Sequence, residues 1–166
     1  TMEVLLVSPL RPVQIIIGKV IPYFVLAFAN VITILAVAWW VFEVPIRGSL
    51  ALLLAESMLF AVAALALGVF ISTRVATQQA AMMIALAGLL LPTIILSGFI
   101  FPIESMPWPL QWLSHIVPAK WFLVIVKGIM LKGIGVAYLW KETLVLTGMT
   151  VLFVGASVKN LNIRLE

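Results

Sequence analysis

The sequence predicts an all-α integral membrane protein with about four transmembrane helices. An N-terminal helix lying at the membrane surface and a re-entrant helical hairpin before the last span complete the expected fold. Three observations carry this. Only 10% of the 166 residues are charged and the mean hydropathy is +1.27, whereas a soluble domain has about 25% charged residues. The charges leave long gaps: 23 uncharged residues between Lys19 and Glu43, 26 between Arg47 and Arg74 with Glu56 alone inside, and 29 between Arg74 and Glu104. About 20 apolar residues cross a hydrocarbon core. A fourth gap, 16 residues between Glu142 and Lys159, is long enough if Trp140, Lys141 and Lys159 sit at the interfaces and snorkel.

The first 19 residues, TMEVLLVSPLRPVQIIIGK, are too short and too interrupted to span. Ser8-Pro9 and Arg11-Pro12 mark a turn, because proline pushes the residue before it out of the helical region. Pro12 suits the first position of a helix. With Val13, Ile16 and Ile17 on one side and Arg11, Gln14 and Lys19 on the other, residues 12–19 read either as an interfacial helix or as a continuation of the next span.

The spans are expected at 20–42, 50–72, 80–97 and 140–158. Trp39 and Trp40 suit a membrane interface at the end of the first. Asn30 and Thr33 lie within it, either bonding to another helix or simply tolerated. In the second span, Ala64 and Gly68 offer a small-residue face for close packing, a motif frequent by chance in alanine-rich helices. Turns are expected at 43–49 and 72–79.

The third apolar run is too long. Its 29 residues would make a helix of about 43 Å, against a core of about 30 Å, so something ends it early. Gly98 and Pro102 are placed to do so. From Phe99 to Ile134 the chain stays apolar but is broken by Pro102, Pro107, Pro109 and Pro118. Two short helices are expected, 106–115 and 119–131. Irregular backbone at membrane depth survives only where protein buries it or a cavity adjoins it, so this stretch reads as a hairpin entering and leaving on one side. Glu104 is placed to cap the first of its helices.

Charge excludes several functions and leaves orientation open. The formal charge of +4, from 10 Lys+Arg against 6 acidic residues, comes from residues flanking spans, which fits anionic lipid headgroups better than nucleic acid. With no cysteine, no aspartate and one histidine, the chain lacks a thiol nucleophile, a Cys/His metal cluster and the acid pair of an intramembrane protease. Gly18-Lys19 fails as a phosphate-binding loop, since Val13 and Val20 stand where glycine and serine or threonine are needed. His115 has no convincing catalytic partner and reads as structural. Glu56, the one ionisable residue inside a span, would cost about 3 kcal/mol at mid-bilayer. It reads as a proton or cation site, as half of an interhelical pair, or as a residue near enough to the interface to be solvated. Arg11, Lys19, Arg74, Lys159 and Arg164 fall on one side and Arg47, Lys120, Lys127, Lys132 and Lys141 on the other, so the positive-inside rule is silent.

Two stretches resemble a known family. The opening MEVLLVSPLRPVQIIIGKVIP, and later LSGFIFPIESMPWPLQWLSHIVPAKWFLVIVKGIMLKG, are similar to the permease subunit of type-2 ABC exporters. The second carries Ser-Gly-Phe followed by Pro-x-Glu-x-Met-Pro. Members usually have six spans, so the resemblance is to the C-terminal portion. It implies a bacterial inner or plasma membrane location with the N-terminal segment and the tail inside the cell. It implies that Glu3, Leu6, Ser8, Pro9, Arg11, Gly18 and Lys19 belong to a coupling segment that docks on an ATPase subunit. By the same resemblance Ser97, Gly98, Phe99, Pro102, Glu104, Met106, Pro107 and Pro118 belong to an extracytoplasmic gate over residues 98–139. The implied partners are ABC ATPase subunits, a second permease copy or paralogue, and membrane lipids. ATP and Mg would be held by the ATPase, with no cofactor, metal or catalytic residue in this chain. The implied activity is export of an amphiphilic or hydrophobic cargo; the alternative is a small multi-pass channel or scaffold without an ATPase.

Overall fold

A computed structural model describes residues 12–75 and 77–163, and among these every regular element is helical. Residues 1–11, which hold most of the expected coupling segment, lie outside the described residues. Six helices can be named in order: α1 Pro12–Trp40, α2 Leu50–Arg74, α3 Gln78–Leu96, α4 Trp108–Ser114, α5 Pro118–Lys132 and α6 Val136–Ile163. Four of them, α1, α2, α3 and α6, are long and apolar enough to span a membrane.

Pro12 opens α1, and the helix then runs unbroken to Trp40 through Pro22. Residues 12–19 therefore continue the first span as one helix. Ser49 caps α2 by accepting a hydrogen bond from the Leu52 N–H, and Thr77 caps α3 in the same way from Ala80. Each satisfies one of the donors that a helix start leaves free.

α3 contains a wide π-helical turn over Ala85–Leu90, in which the Leu91 N–H bonds to the Leu86 carbonyl. Pro92 follows at once. Proline has no N–H and its ring crowds the carbonyl one turn earlier; the wide turn absorbs that conflict within a continuous span.

The core lies between α2, α5 and α6. Leu53, Ile125, Ile129, Met130, Leu139 and Leu146 form one buried cluster. α2 packs most extensively on α6, and the close approach uses Ala63 and Ala66, with the Ser157 hydroxyl donating to the Ala66 carbonyl at 2.8 Å. The small-residue face expected from Ala64 and Gly68 is not this contact: Gly68 is exposed with open space around it, because α6 meets the face a quarter-turn away. Most of α1 and α3 remains exposed and apolar.

α4 and α5 meet at a bend of 81°. Such a pair is either one broken span or a re-entrant hairpin, and the contacts decide for the hairpin. The Arg47 N–H, in the α1–α2 turn, donates to the Met130 carbonyl at 3.2 Å. The far end of α5 thus returns to the face where α1 ends and α2 begins. That is also where α3 ends and α6 begins, so the chain enters and leaves the hairpin on one side.

Candidate functional site

The hairpin is built by its prolines. α3 stops where Gly98 takes a left-handed φ of +81°, a conformation that suits glycine, and the buried Ser97 hydroxyl accepts from the Phe99 N–H at 3.3 Å. Pro102 then precedes a single 3-10 turn over Ile103–Ser105. Glu104 is exposed within that turn and does not cap α4, contrary to the sequence expectation: Pro107 stands at the cap position, with no side-chain hydrogen bond. Pro118 opens α5.

The bend itself is braced on both sides. Gln111 Nε2 donates to the Met106 carbonyl at 2.8 Å, and the Ser114 hydroxyl donates to the Gln111 carbonyl at 2.6 Å. Trp121 Nε1 reaches back across the bend to the His115 carbonyl at 3.0 Å. His115 Nδ1 lies 2.7 Å from the Gln111 carbonyl oxygen and its ring packs edge-on to Trp121, which is the structural role expected of it. Lys120 is buried, its Nζ 5.2 Å from the Trp121 ring centre.

Below the bend lies a cavity of about 530 Å³, open along one side. Leu113, Ile116, Val117, Pro118 and Ala119 roof it. Phe60, Ala64 and Leu67 of α2, the π-turn region of α3 with Thr93, and Phe153 of α6 form its walls. The size falls within the usual range for small-molecule sites, about 300–1,000 Å³, and the lining is almost wholly apolar. Phe122 of α5 stacks flat on Phe60, centroids 4.4 Å apart, and closes the hairpin against α2. A second, smaller apolar groove of about 340 Å³ lies between α1, α2 and α6 towards the opposite face.

Above this cavity, α2 carries Glu56. It is only 4% exposed. Its Oε1 accepts from the Thr143 hydroxyl of α6 at 2.8 Å, while its Oε2 is buried with no hydrogen-bond partner. The Thr143 bond joins α2 to α6 at this level. Glu142, beside Thr143 on α6, also holds a buried Oε2 without a partner. Sequence reasoning missed Glu142 and Thr143 as site residues. The available signal was their depth in α6, which matches that of Glu56 in α2.

The other named residues are placed as follows. Asn30 is exposed on α1, and Thr33 bonds back to the Ala29 carbonyl of its own helix at 2.8 Å; among the described residues neither bonds to another helix. Gly18 and Lys19 lie on α1, Gly18 in open space. Phe99 is exposed and Met106 buried under the hairpin entry. Glu3, Leu6, Ser8, Pro9 and Arg11 fall outside the described residues.

Residues 1–131 match the family model described as ABC-2 type transporter. The chain belongs to this family. The probable multidrug ABC transporter permease YbhS of Escherichia coli (strain K12) is 34% identical over 166 residues, which are 100% of this chain and 44% of that protein. The probable multidrug ABC transporter permease YbhR of the same strain is 37% identical over 153 residues, 90% of this chain and 41% of YbhR. ABC transporter G family member 20 of Dictyostelium discoideum is 30% identical over 154 residues, 92% of this chain and 21% of that protein. This ABC-2 chain therefore spans less than half the length of these relatives. No solved structure matches it. With its four apolar spans, this ABC-2 permease chain is a multi-pass membrane protein.

Proposed function

We propose that this chain forms part of a permease subunit of an ATP-driven exporter that moves an amphiphilic or hydrophobic cargo out of the cell. The observation that carries the reading is the apolar cavity roofed by the hairpin bend. A cargo of drug size fits such a space, and the hairpin bend lies between it and the face where the hairpin enters and leaves. Two E. coli relatives are named as probable multidrug permeases, which supports a cargo of this class. The bacterial inner or plasma membrane is the proposed location, with the hairpin face outward.

In this reading the chain breaks no bond. ATP and Mg belong to a separate ATPase subunit, on which residues 1–19 dock through Glu3, Leu6, Ser8, Pro9, Arg11, Gly18 and Lys19. The exposed apolar faces of α1 and α3 are covered by lipid and by a second permease copy or paralogue. ATPase closure drives the docking segments together, the spans rock, and the hairpin lifts from the cavity. The permease supplies differential affinity for cargo between two conformations.

The test is co-purification of the permease, in its full chain, with its candidate ATPase, followed by ATP-dependent cargo uptake into inverted vesicles. Association and uptake, both lost in a Glu3→Lys, Pro9→Gly double variant that still inserts into membranes, is the expected result. Failure of the unaltered permease to hold any ATPase overturns the reading and leaves a channel or scaffold without an ATPase.

A further inference from the structure

The face of α2 that walls the cavity continues upward to a carboxylate. Glu56, Phe60, Ala64 and Leu67 are spaced four, four and three residues apart, the spacing of one helix face. The same holds on α6, where Glu142 and Phe153 are separated by three helical turns and share a face. Both cavity walls therefore carry, above the apolar space, a glutamate with a buried and unpartnered Oε2. Among the described residues, no lysine or arginine pairs with either.

A buried acceptor without a donor is costly, and a buried charge without a counter-charge more so. Thr143 satisfies only one oxygen of Glu56. The Phe122–Phe60 stack lies one turn from Glu56 along α2, so α5 is the element that covers this level of the wall. Lifting the hairpin would join the carboxylate level to the cavity below it.

We propose that Glu56, with Thr143 and Glu142, is a binding site for the positively charged, hydrogen-bond-donating group of an amphiphilic cation whose apolar body occupies the cavity beneath. The free Oε2 accepts the cargo's N–H donor, and the Thr143 hydroxyl holds the carboxylate in place through Oε1. The apolar cavity alone would select by size and hydrophobicity; the glutamates add selection for charge. The site's place in a transport cycle rests on the export reading, but binding to it does not.

The experiment measures binding to the full-length permease in lipid nanodiscs with two probes. One is ethidium, an aromatic monocation with amino groups; the other is its neutral, non-alkylated phenanthridine parent. Glu56→Gln is expected to weaken ethidium about tenfold or more, the range of a charge-assisted hydrogen bond, and to leave the neutral probe within about twofold. As a variant-free readout, ethidium is expected to protect Glu56 from modification by dicyclohexylcarbodiimide, located by mass spectrometry, where the neutral parent does not. Equal weakening of both probes by Glu56→Gln, no effect on either, or equal protection by both overturns the proposal. Selective ethidium binding without ATP-driven export would leave the site standing and count against the export reading alone.

Discussion

Phe60 of α2 and Phe122 of α5 stack with their rings 4.4 Å apart and 3° from parallel. This pair joins the hairpin to the span that walls the cavity, one helical turn below Glu56. It adds an aromatic contact to the buried packing of Ile125, Ile129 and Met130, which seats α5 on α2 and α6. A double-mutant cycle of Phe60→Ala and Phe122→Ala should give a coupling energy of about 0.5–1.5 kcal/mol, as for other aromatic pairs, read from unfolding in mixed micelles. A coupling near zero would mean that the stack adds nothing to the seating of α5 on α2.

The joint at the other end of α5 depends on a glycine. A side-chain Cβ at Gly48 would lie 2.6 Å from the Ile129 backbone oxygen, too close for any side chain, and the obstacle is backbone that cannot rotate away. Gly48→Ala should therefore push α5 off the α1–α2 turn and stretch the bond from Arg47 to Met130. We expect a loss of about 1–3 kcal/mol, as for overpacking elsewhere, seen as a lower melting temperature. Gly68→Ala, at a position with open space, should leave the melting temperature unchanged or raise it slightly.

The α2–α6 interface contains two hydroxyl bonds of different consequence. Ser157 donates to the Ala66 carbonyl and also to Phe153 in its own helix, so Ser157→Ala should cost about 0.6 kcal/mol, the average for such bonds in membranes. Thr143→Val is expected to cost about 1–3 kcal/mol, because it leaves both oxygens of Glu56 without a partner. Equal costs for the two variants, by the same unfolding assay, would argue that Glu56 finds another donor.

The hairpin topology makes a labelling prediction that suits a chain with no cysteine in its 166 residues. Single cysteines at Trp108, at the start of α4, and at Lys132, at the end of α5, should react with a membrane-impermeant maleimide from the same side. A cysteine at Gln78, at the start of α3, should react only from the other. Labelling of Trp108→Cys and Lys132→Cys from opposite sides would make α4 and α5 a broken fifth span.

Much of this fold was legible in the sequence because lipid imposes a strict length rule. Spans expected at 50–72 and 80–97 are the helices Leu50–Arg74 and Gln78–Leu96, and the prolines that interrupt the apolar stretch over 99–134 build the α4–α5 bend. The first residues of helices were harder. Sequence placed the last span at 140–158, yet α6 starts at Val136, because Ala137, Tyr138 and Leu139 extend the helix above the charged Lys141 and Glu142. The choice between Ala64 with Gly68 and Ala63 with Ala66 for the close α2–α6 contact is set by which face another helix meets, and composition does not encode that. Glu56 stood out as a lone charge in a span. Its partner Thr143 did not, since the two are joined only by the way α2 and α6 lie side by side.

The proposed export cycle requires the hairpin to move relative to α2 over the cavity. The direct test is to replace Phe60 and Phe122 by cysteines in the full permease and bridge them with a short bifunctional thiol reagent. ATP-driven transport is then measured in inverted vesicles with the ATPase present. Bridging should lower transport well below that of the same double variant left unbridged, and reduction of a cleavable bridge should restore it to that level. Unchanged transport with α5 covalently tied to α2 would contradict the account.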